Sequence, residues 1–258
     1  MTTPTDLPFS LERTVVIRAR RETVFSFFTD SSRFAQWWGP GSEIDARPGG
    51  RVYIRYPNAI AASGSVVEIE KGQRIVFTYG YESGQPIAPG GSRVTITLED
   101  VAEGTKVRLQ HDVHDAGVRD HHVQGWRYQM AVFANAACDV EHAEVAVRVD
   151  KFLGAWGEAD PARQSALLEE SVAPGIVFRD KHSNTTGLDD LKTHLAAAVK
   201  FMPGMRLKRE GAVAHCQGTA VVRWVLVGPN DAEMGRGTNV CDLSPDGRLA
   251  RVVGLWGG

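Results

Sequence analysis

The chain has 258 residues, 43% hydrophobic and 23% charged, enough to build one large core or two ordinary ones. That apolar fraction excludes a disordered or collagen-like chain. The 29 basic and 31 acidic side chains leave a net charge of −2, which argues against a dedicated nucleic-acid binder, since phosphate contacts need a basic surface.

The three cysteines, Cys138, Cys216 and Cys241, are too few and too scattered for a disulfide scaffold or a Cys-x-x-Cys metal site. Their apolar neighbours predict buried thiols of a reducing compartment. The opening MTTPTDLPFS has no basic stretch followed by an apolar run, so no secretory signal is expected. No segment approaches the roughly 18–20 consecutive apolar residues of a membrane span. The expected location is the cytoplasm, without membrane association.

In chain order, Glu12 to Arg20 alternates as a strand, and VFSFFTD and SSRFAQWW then read as two short helices stopped at Gly39-Pro40-Gly41. Between Glu43 and Leu109 short alternating runs are separated by turn residues such as Lys71-Gly72 and Glu103-Gly104, the pattern of an antiparallel meander. Val118 to Val140 places Val123, Trp126, Met130, Phe133 and Ala137 three or four residues apart, predicting a helix long enough to cross a sheet.

The second half restarts with helices at Val145–Trp156 and Pro161–Leu168, then a short strand at Ile176–Arg179. A turn is expected at Asn184–Gly187, followed by a helix over LDDLKTHLAAAVKFM whose Asp189 and Asp190 suit its positive N-terminal end. Four strands close the chain, at RLKREGAVAHC, TAVVRWVLVG, GRGTNVCDLS and RLARVVGLW.

Several landmarks occur in one order in the first half. They are V-F-x-x-F-T-D at 24–30, W-W-G-P at 37–40, R-P-G-G at 47–50, IVFTY at 75–79, GTKVRL at 104–109, His111 and Gly125-Trp126. Over roughly residues 10–140 the chain resembles the activator-of-heat-shock-protein-90-ATPase homologues of the START-like helix-grip (SRPBCC) superfamily. Over about residues 146–257, AWGEAD, IVFRD, TTGLDDLKTHL, FMPGM and DGRLARVVGLW resemble the SnoaL-like, nuclear-transport-factor-2-like family. The expected fold class is therefore α+β in two domains. Residues 1–141 would form an antiparallel helix-grip fold and residues 142–258 a cone-shaped α+β barrel.

The first resemblance implies a curved sheet around a long helix with an apolar cavity between them. Trp37, Trp38, Tyr53, Phe77, Tyr79, Trp126 and Met130 are its expected lining. The second implies a cone with a pocket, for which Phe152, Trp156, Arg223 and Trp256 are candidate ligand contacts. Asp180, at the end of IVFR, lies where ketosteroid-isomerase relatives place a general base. An apolar cone would disfavour its charged form and raise its pKa. Asn239 lies where the same relatives place an oxyanion donor, and His182 is a further acid/base candidate. Phe152 falls where those relatives carry a tyrosine donor, so that constellation is incomplete.

His111, His114, His121 and His122 lack the spacing of a metal site, and no phosphate loop, dinucleotide fingerprint, nucleophile elbow or zinc signature occurs. No metal or cofactor is expected. The leading expectation is the binding of small hydrophobic molecules in one or both domains. The alternative is acid/base catalysis of an isomerase, cyclase or hydratase type in the second pocket. A chaperone co-factor role is suggested only by the family name, and no chaperone-docking segment is visible, so a chaperone partner is not expected; self-association is expected by analogy alone.

Overall fold

The computed structural model describes residues 6–257, so the first five residues of the segment judged free of a secretory signal lie outside the described residues. The chain divides into two compact units between Val140 and Glu141.

The first unit runs β1 (Phe9–Ile17), α1 (Arg21–Ser26), α2 (Ser31–Trp38), β2 (Glu43–Ile44), β3 (Arg51–Arg55), β4 (Ala61–Glu70), β5 (Arg74–Tyr79), β6 (Ser92–Val101), β7 (Gly104–Val113) and α3 (Ala116–Glu141). Its seven strands form one antiparallel sheet in the order β1-β7-β6-β5-β4-β3-β2. Period-two alternation sets the inner face. On β6, Ser92, Val94, Ile96 and Leu98 are buried, while Arg93, Thr95 and Thr97 are only partly so. α3 buries Trp126, Met130, Phe133 and Ala137 along a single stripe, as helical spacing requires. Phe133 packs against Phe27, Phe28 and Trp37, with ring centroids 5.6, 5.3 and 4.8 Å away.

α2 starts where the Asp30 carboxylate accepts from the backbone N–H groups of Ser32 and Arg33. It ends at Gly39, whose φ of 138° an L-residue rarely adopts, and a Cβ there would collide with the Arg55 carbonyl. The chain therefore turns sharply, leaving Trp37 and Trp38 at the helix end beneath α3.

The second unit runs α4 (Val145–Ala155), α5 (Pro161–Ser171), β8 (Val172–Arg179), β9 (Asn184–Thr186), α6 (Leu188–Phe201), β10 (Arg206–Cys216), β11 (Thr219–Val227), β12 (Glu233–Leu243) and β13 (Leu249–Trp256). Its sheet order is β10-β11-β12-β13-β8-β9, with β13 and β8 parallel. The fold is the cone-shaped α+β type. The Asn184–Gly187 segment, expected as a turn, instead pairs Asn184, Thr185 and Thr186 with Arg179, Phe178 and Val177. Thr185 and Thr186 are β-branched and suit an edge strand, while Gly187, at φ 89°, makes the turn that follows. Cys138 and Cys241 are buried, whereas Cys216, at the end of the exposed strand β10, is not.

α5 has Pro161 in its first turn, and the Asp160 carboxylate accepts from the N–H groups of Ala162 and Arg163. Asp160→Ala should cost about 1 kcal/mol, read from the urea midpoint at constant slope. No helix among the described residues is long and apolar enough to cross a membrane.

Candidate functional site

In the first unit a cavity of about 640 Å³ opens between α2, the loop after β3, the end of β5 and the middle of α3. This lies within the range typical of small-molecule sites. Trp37 and Trp38 come from α2, Tyr56 from just beyond β3, Tyr79 from β5, Tyr81 from just after it, and Trp126 from α3. Their rings meet mostly edge to face: Trp38 stands 89° to Tyr56 and 76° to Trp126. Exposed Ile60, Gly125 and Tyr128 also line it, where it opens to solvent.

A hydrogen-bonded polar layer backs these rings. The Trp126 indole N–H donates to His111 Nδ1 at 2.9 Å, so the imidazole proton sits on Nε2 and is donated to Ser92 Oγ at 2.8 Å. Ser92 in turn donates to the Tyr79 carbonyl at 2.8 Å. Burial, reinforced by nearby His122, pushes His111 down to about 3, so this ring is neutral. His122 donates from Nδ1 to the Val118 carbonyl at 2.7 Å, which leaves Nε2 to accept from the Tyr81 hydroxyl at 3.2 Å. Burial likewise holds His122 below the ordinary histidine range. The hydroxyls of Tyr56 and Tyr79 lie 2.9 Å apart, and burial raises both phenols, which stay protonated. Gln129 donates to the Trp37 carbonyl.

Of the residues expected along this cavity, Trp37, Trp38, Tyr79 and Trp126 stand on its wall. Phe77 and Met130 are buried in the core and do not line it. Tyr53 does not line it either. The pleat of β3 turns Val52 and Ile54 inward, and Tyr53 lies under the Arg51 guanidinium, 4.5 Å from its ring centre. Sequence reasoning missed Tyr56, Tyr81 and His122. Tyr81 continues the alternation of Tyr79 by two residues, a signal that could have found it.

In the second unit a void of about 50 Å³ lies between Trp156, Phe178, Asp180, Trp224, Asn239 and Trp256, with Met202 and Met205 also on the wall, and an open depression of about 370 Å³ borders Asp180 and Trp256 from the side of Lys181 and Leu255. The void has room for one or two waters. Asp180 and Asn239 do converge: a Cβ at Gly254 would lie 3.1 Å from Asp180 Cβ and 3.3 Å from Asn239 Oδ1. Burial raises the Asp180 carboxyl, but donors from the Ser183 hydroxyl at 2.6 Å, the His182 backbone N–H at 2.8 Å and the Trp256 indole at 3.2 Å outweigh it. The net direction is down, opposite to the expected rise, because these donors, with the Ser183 backbone N–H, favour the charged form. Asn239 is buried and its Oδ1 accepts from the Trp224 indole at 2.9 Å.

Arg223 faces solvent, since strand alternation gives the inward position to Trp224. His182 is exposed and meets the edge of Trp256, with centroids 5.4 Å apart, without lining the void. Phe152 is fully buried in the core behind it. No group of three or more His, Cys, Asp or Glu among the described residues is placed to hold a metal ion.

The first unit is thus a helix-grip domain with an open aromatic cavity, and the second a cone-shaped α+β unit with a nearly filled interior. Residues 18–137 match the family described as Activator of Hsp90 ATPase homolog 1-like protein, so the first unit is a domain of that family. Among solved structures, a putative isomerase of the SnoaL-like family from Agrobacterium tumefaciens is 26% identical. It covers 46% of this chain and 99% of its own, with a TM-score of 0.42. An AHSA1-like protein from Rhizobium etli is 25% identical over 52% of this chain and 86% of its own, TM-score 0.41. The Aha1 dimer from Colwellia psychrerythraea is 18% identical over 47% and 90%, TM-score 0.40. No curated protein matches the chain significantly.

Proposed function

We propose that the first unit binds a small, largely apolar molecule in the cavity walled by Trp37, Trp38, Tyr56, Tyr79 and Trp126. The observation that carries this reading is the size of the cavity, about 640 Å³, in a wall otherwise packed with aromatic rings. Apolar area removed from water contributes roughly 25 cal/mol per Å², so a ligand burying on the order of 300 Å² has several kcal/mol to set against the cost of association. The neutral dye N-phenyl-1-naphthylamine, which brightens in apolar surroundings, tests this. Saturable enhancement at about one dye per chain, with energy transfer from tryptophan, is expected. A linear, unsaturable signal contradicts the reading.

Acid/base chemistry on a carbonyl compound in the second unit is the other reading, and the convergence of Asp180 and Asn239 on Gly254 speaks for it. The void of about 50 Å³ speaks for the first reading, because it leaves no room for a substrate of several carbons without movement of Met202 or Met205.

A further inference from the structure

We propose that Tyr81 and His122 form an acid/base pair on the wall of the first cavity, and that the pair interconverts the keto and enol forms of an apolar 1,3-dicarbonyl compound. The activity rests on the binding reading above and adds chemistry to the same site.

The two imidazoles beside the cavity are not equivalent. His111 uses both nitrogens within the protein, accepting from the Trp126 indole and donating to Ser92, and it does not line the cavity. His122 does line it, whereas among the described residues no Asp, Glu, Lys, Arg or Cys does. Its ring is fixed from behind. Nδ1 donates to the Val118 carbonyl one turn earlier, and the His111 ring meets it edge-on at 5.3 Å. The tautomer is thereby set, and Nε2 presents its lone pair to the Tyr81 hydroxyl at 3.2 Å. Tyr81 is half-buried and its side chain lines the cavity. A carbonyl that orients an imidazole, and an imidazole that accepts from a hydroxyl, is the order of groups that activates the hydroxyl.

Tyr56 and Tyr79 supply the complementary donor. Their hydroxyls are 2.9 Å apart, and only one of the two protons can lie between the oxygens. With Tyr79 donating, half-buried Tyr56 keeps its O–H for an oxygen in the cavity. Such a donor stabilises the charge that develops on a carbonyl oxygen as a carbon proton leaves. The Tyr79 ring stands 5.6 Å from that of Tyr81, which sets the donor pair beside the acid/base pair.

The step balances within these groups. The Tyr81 oxygen takes a proton from the methylene between the two carbonyls as its own proton passes to His122 Nε2. The C–H electron pair becomes the C=C bond, and the carbonyl π pair moves onto oxygen, which accepts from the Tyr56 O–H. His122 then returns its proton through Tyr81 to that oxygen, giving the enol and restoring both side chains. Burial keeps His122 unprotonated at pH 7 and makes it a weaker base. A weak base removes protons only from carbon acids that are themselves acidic, which selects a methylene flanked by two carbonyls.

1-Phenyl-1,3-butanedione tests this on the full chain. Diluted from an enol-rich organic stock into weakly buffered water at pH 7, it relaxes toward the ketone, and loss of the enol's ultraviolet band reads the rate. The chain is expected to accelerate this relaxation saturably. Tyr81→Phe keeps the ring on the wall and is expected to lower kcat at least about a hundredfold, with KM within about threefold. His122→Gln keeps an acceptor for the Tyr81 hydroxyl but cannot take up its proton, and a comparable loss in kcat is expected. Full activity in either variant, or a loss carried by KM alone, overturns the assignment. So does a parent chain that binds the neutral dye but leaves the relaxation at the buffer rate, a result that keeps the binding reading intact. Failure to bind the dye as well overturns both.

Discussion

Gly125→Leu is expected to produce a protein at least as stable as the parent that binds the neutral dye about tenfold or more weakly. Gly125 sits in the interior of α3, where glycine costs about 1 kcal/mol relative to alanine. The backbone does not require it. Gly125 is not among the residues of positive φ, and a Cβ built there meets nothing within 4 Å. What the position does is line the cavity. A side chain there grows into open space at the mouth, so the helix gains propensity while the site loses room. Gly125→Ala separates the two effects: stability should rise by about 1 kcal/mol with little change in dye affinity. Urea unfolding and dye titration on the same samples read both quantities. Unchanged affinity in Gly125→Leu shows that position 125 does not control entry.

Acidification from pH 7 to pH 5 should remove about 2 kcal/mol of stability through His111 alone. Its imidazole has a pKa of about 3 in the folded protein, depressed first by burial and then by His122, against about 6.5 in the unfolded chain. Between those values the unfolded chain binds a proton that the native state refuses. The stabilisation is thus complete above the unfolded value and is lost as pH falls below it. His122, also lowered by burial, adds in the same direction. His111→Gln removes this titration, so its urea stability should fall less steeply between pH 7 and pH 5, by about 2 kcal/mol. Parallel pH profiles for parent and variant contradict the neutral, hydrogen-bonded His111.

The elements that position the cavity were legible because they carry strong periodicity. β6 and β7 alternate across the Glu103-Gly104 turn, and α3 keeps its apolar stripe from Trp126 through Met130 and Phe133 to Ala137. Which aromatic rings reach the cavity was legible only in part. Alternation in β3 already places Val52 and Ile54 on one face and Tyr53 on the other, so Tyr53 could have been excluded from the pattern alone. Tyr56, one residue beyond β3, continues the inward alternation of Val52 and Ile54, so it too could have been found from the pattern. Phe77 and Met130 show that facing inward does not decide between core and wall; that depends on depth.

In the second unit, the direction of the Asp180 shift depends on donors that local sequence supplies only partly. His182 and Ser183 are near neighbours, but the Trp256 indole comes from 76 residues away. The volume of the cone was not legible at all. Its walls come from the end of α4, β8, α6, four further strands and the Met202–Met205 segment after α6, and no periodic pattern fixes how side chains from so many elements pack together.

A small neutral molecule held between α2 and α3 in the first unit would touch the indoles there first. The indole N–H resonances of the chain's six tryptophans test it residue by residue during titration with 2-acetylnaphthalene. Saturable shifts with a common midpoint are expected at Trp37, Trp38 and Trp126, while Trp224 and Trp256, whose indoles are bonded to Asn239 and Asp180, hold their positions. Shifts confined to Trp224 and Trp256, or no saturable shift at Trp38, would contradict it.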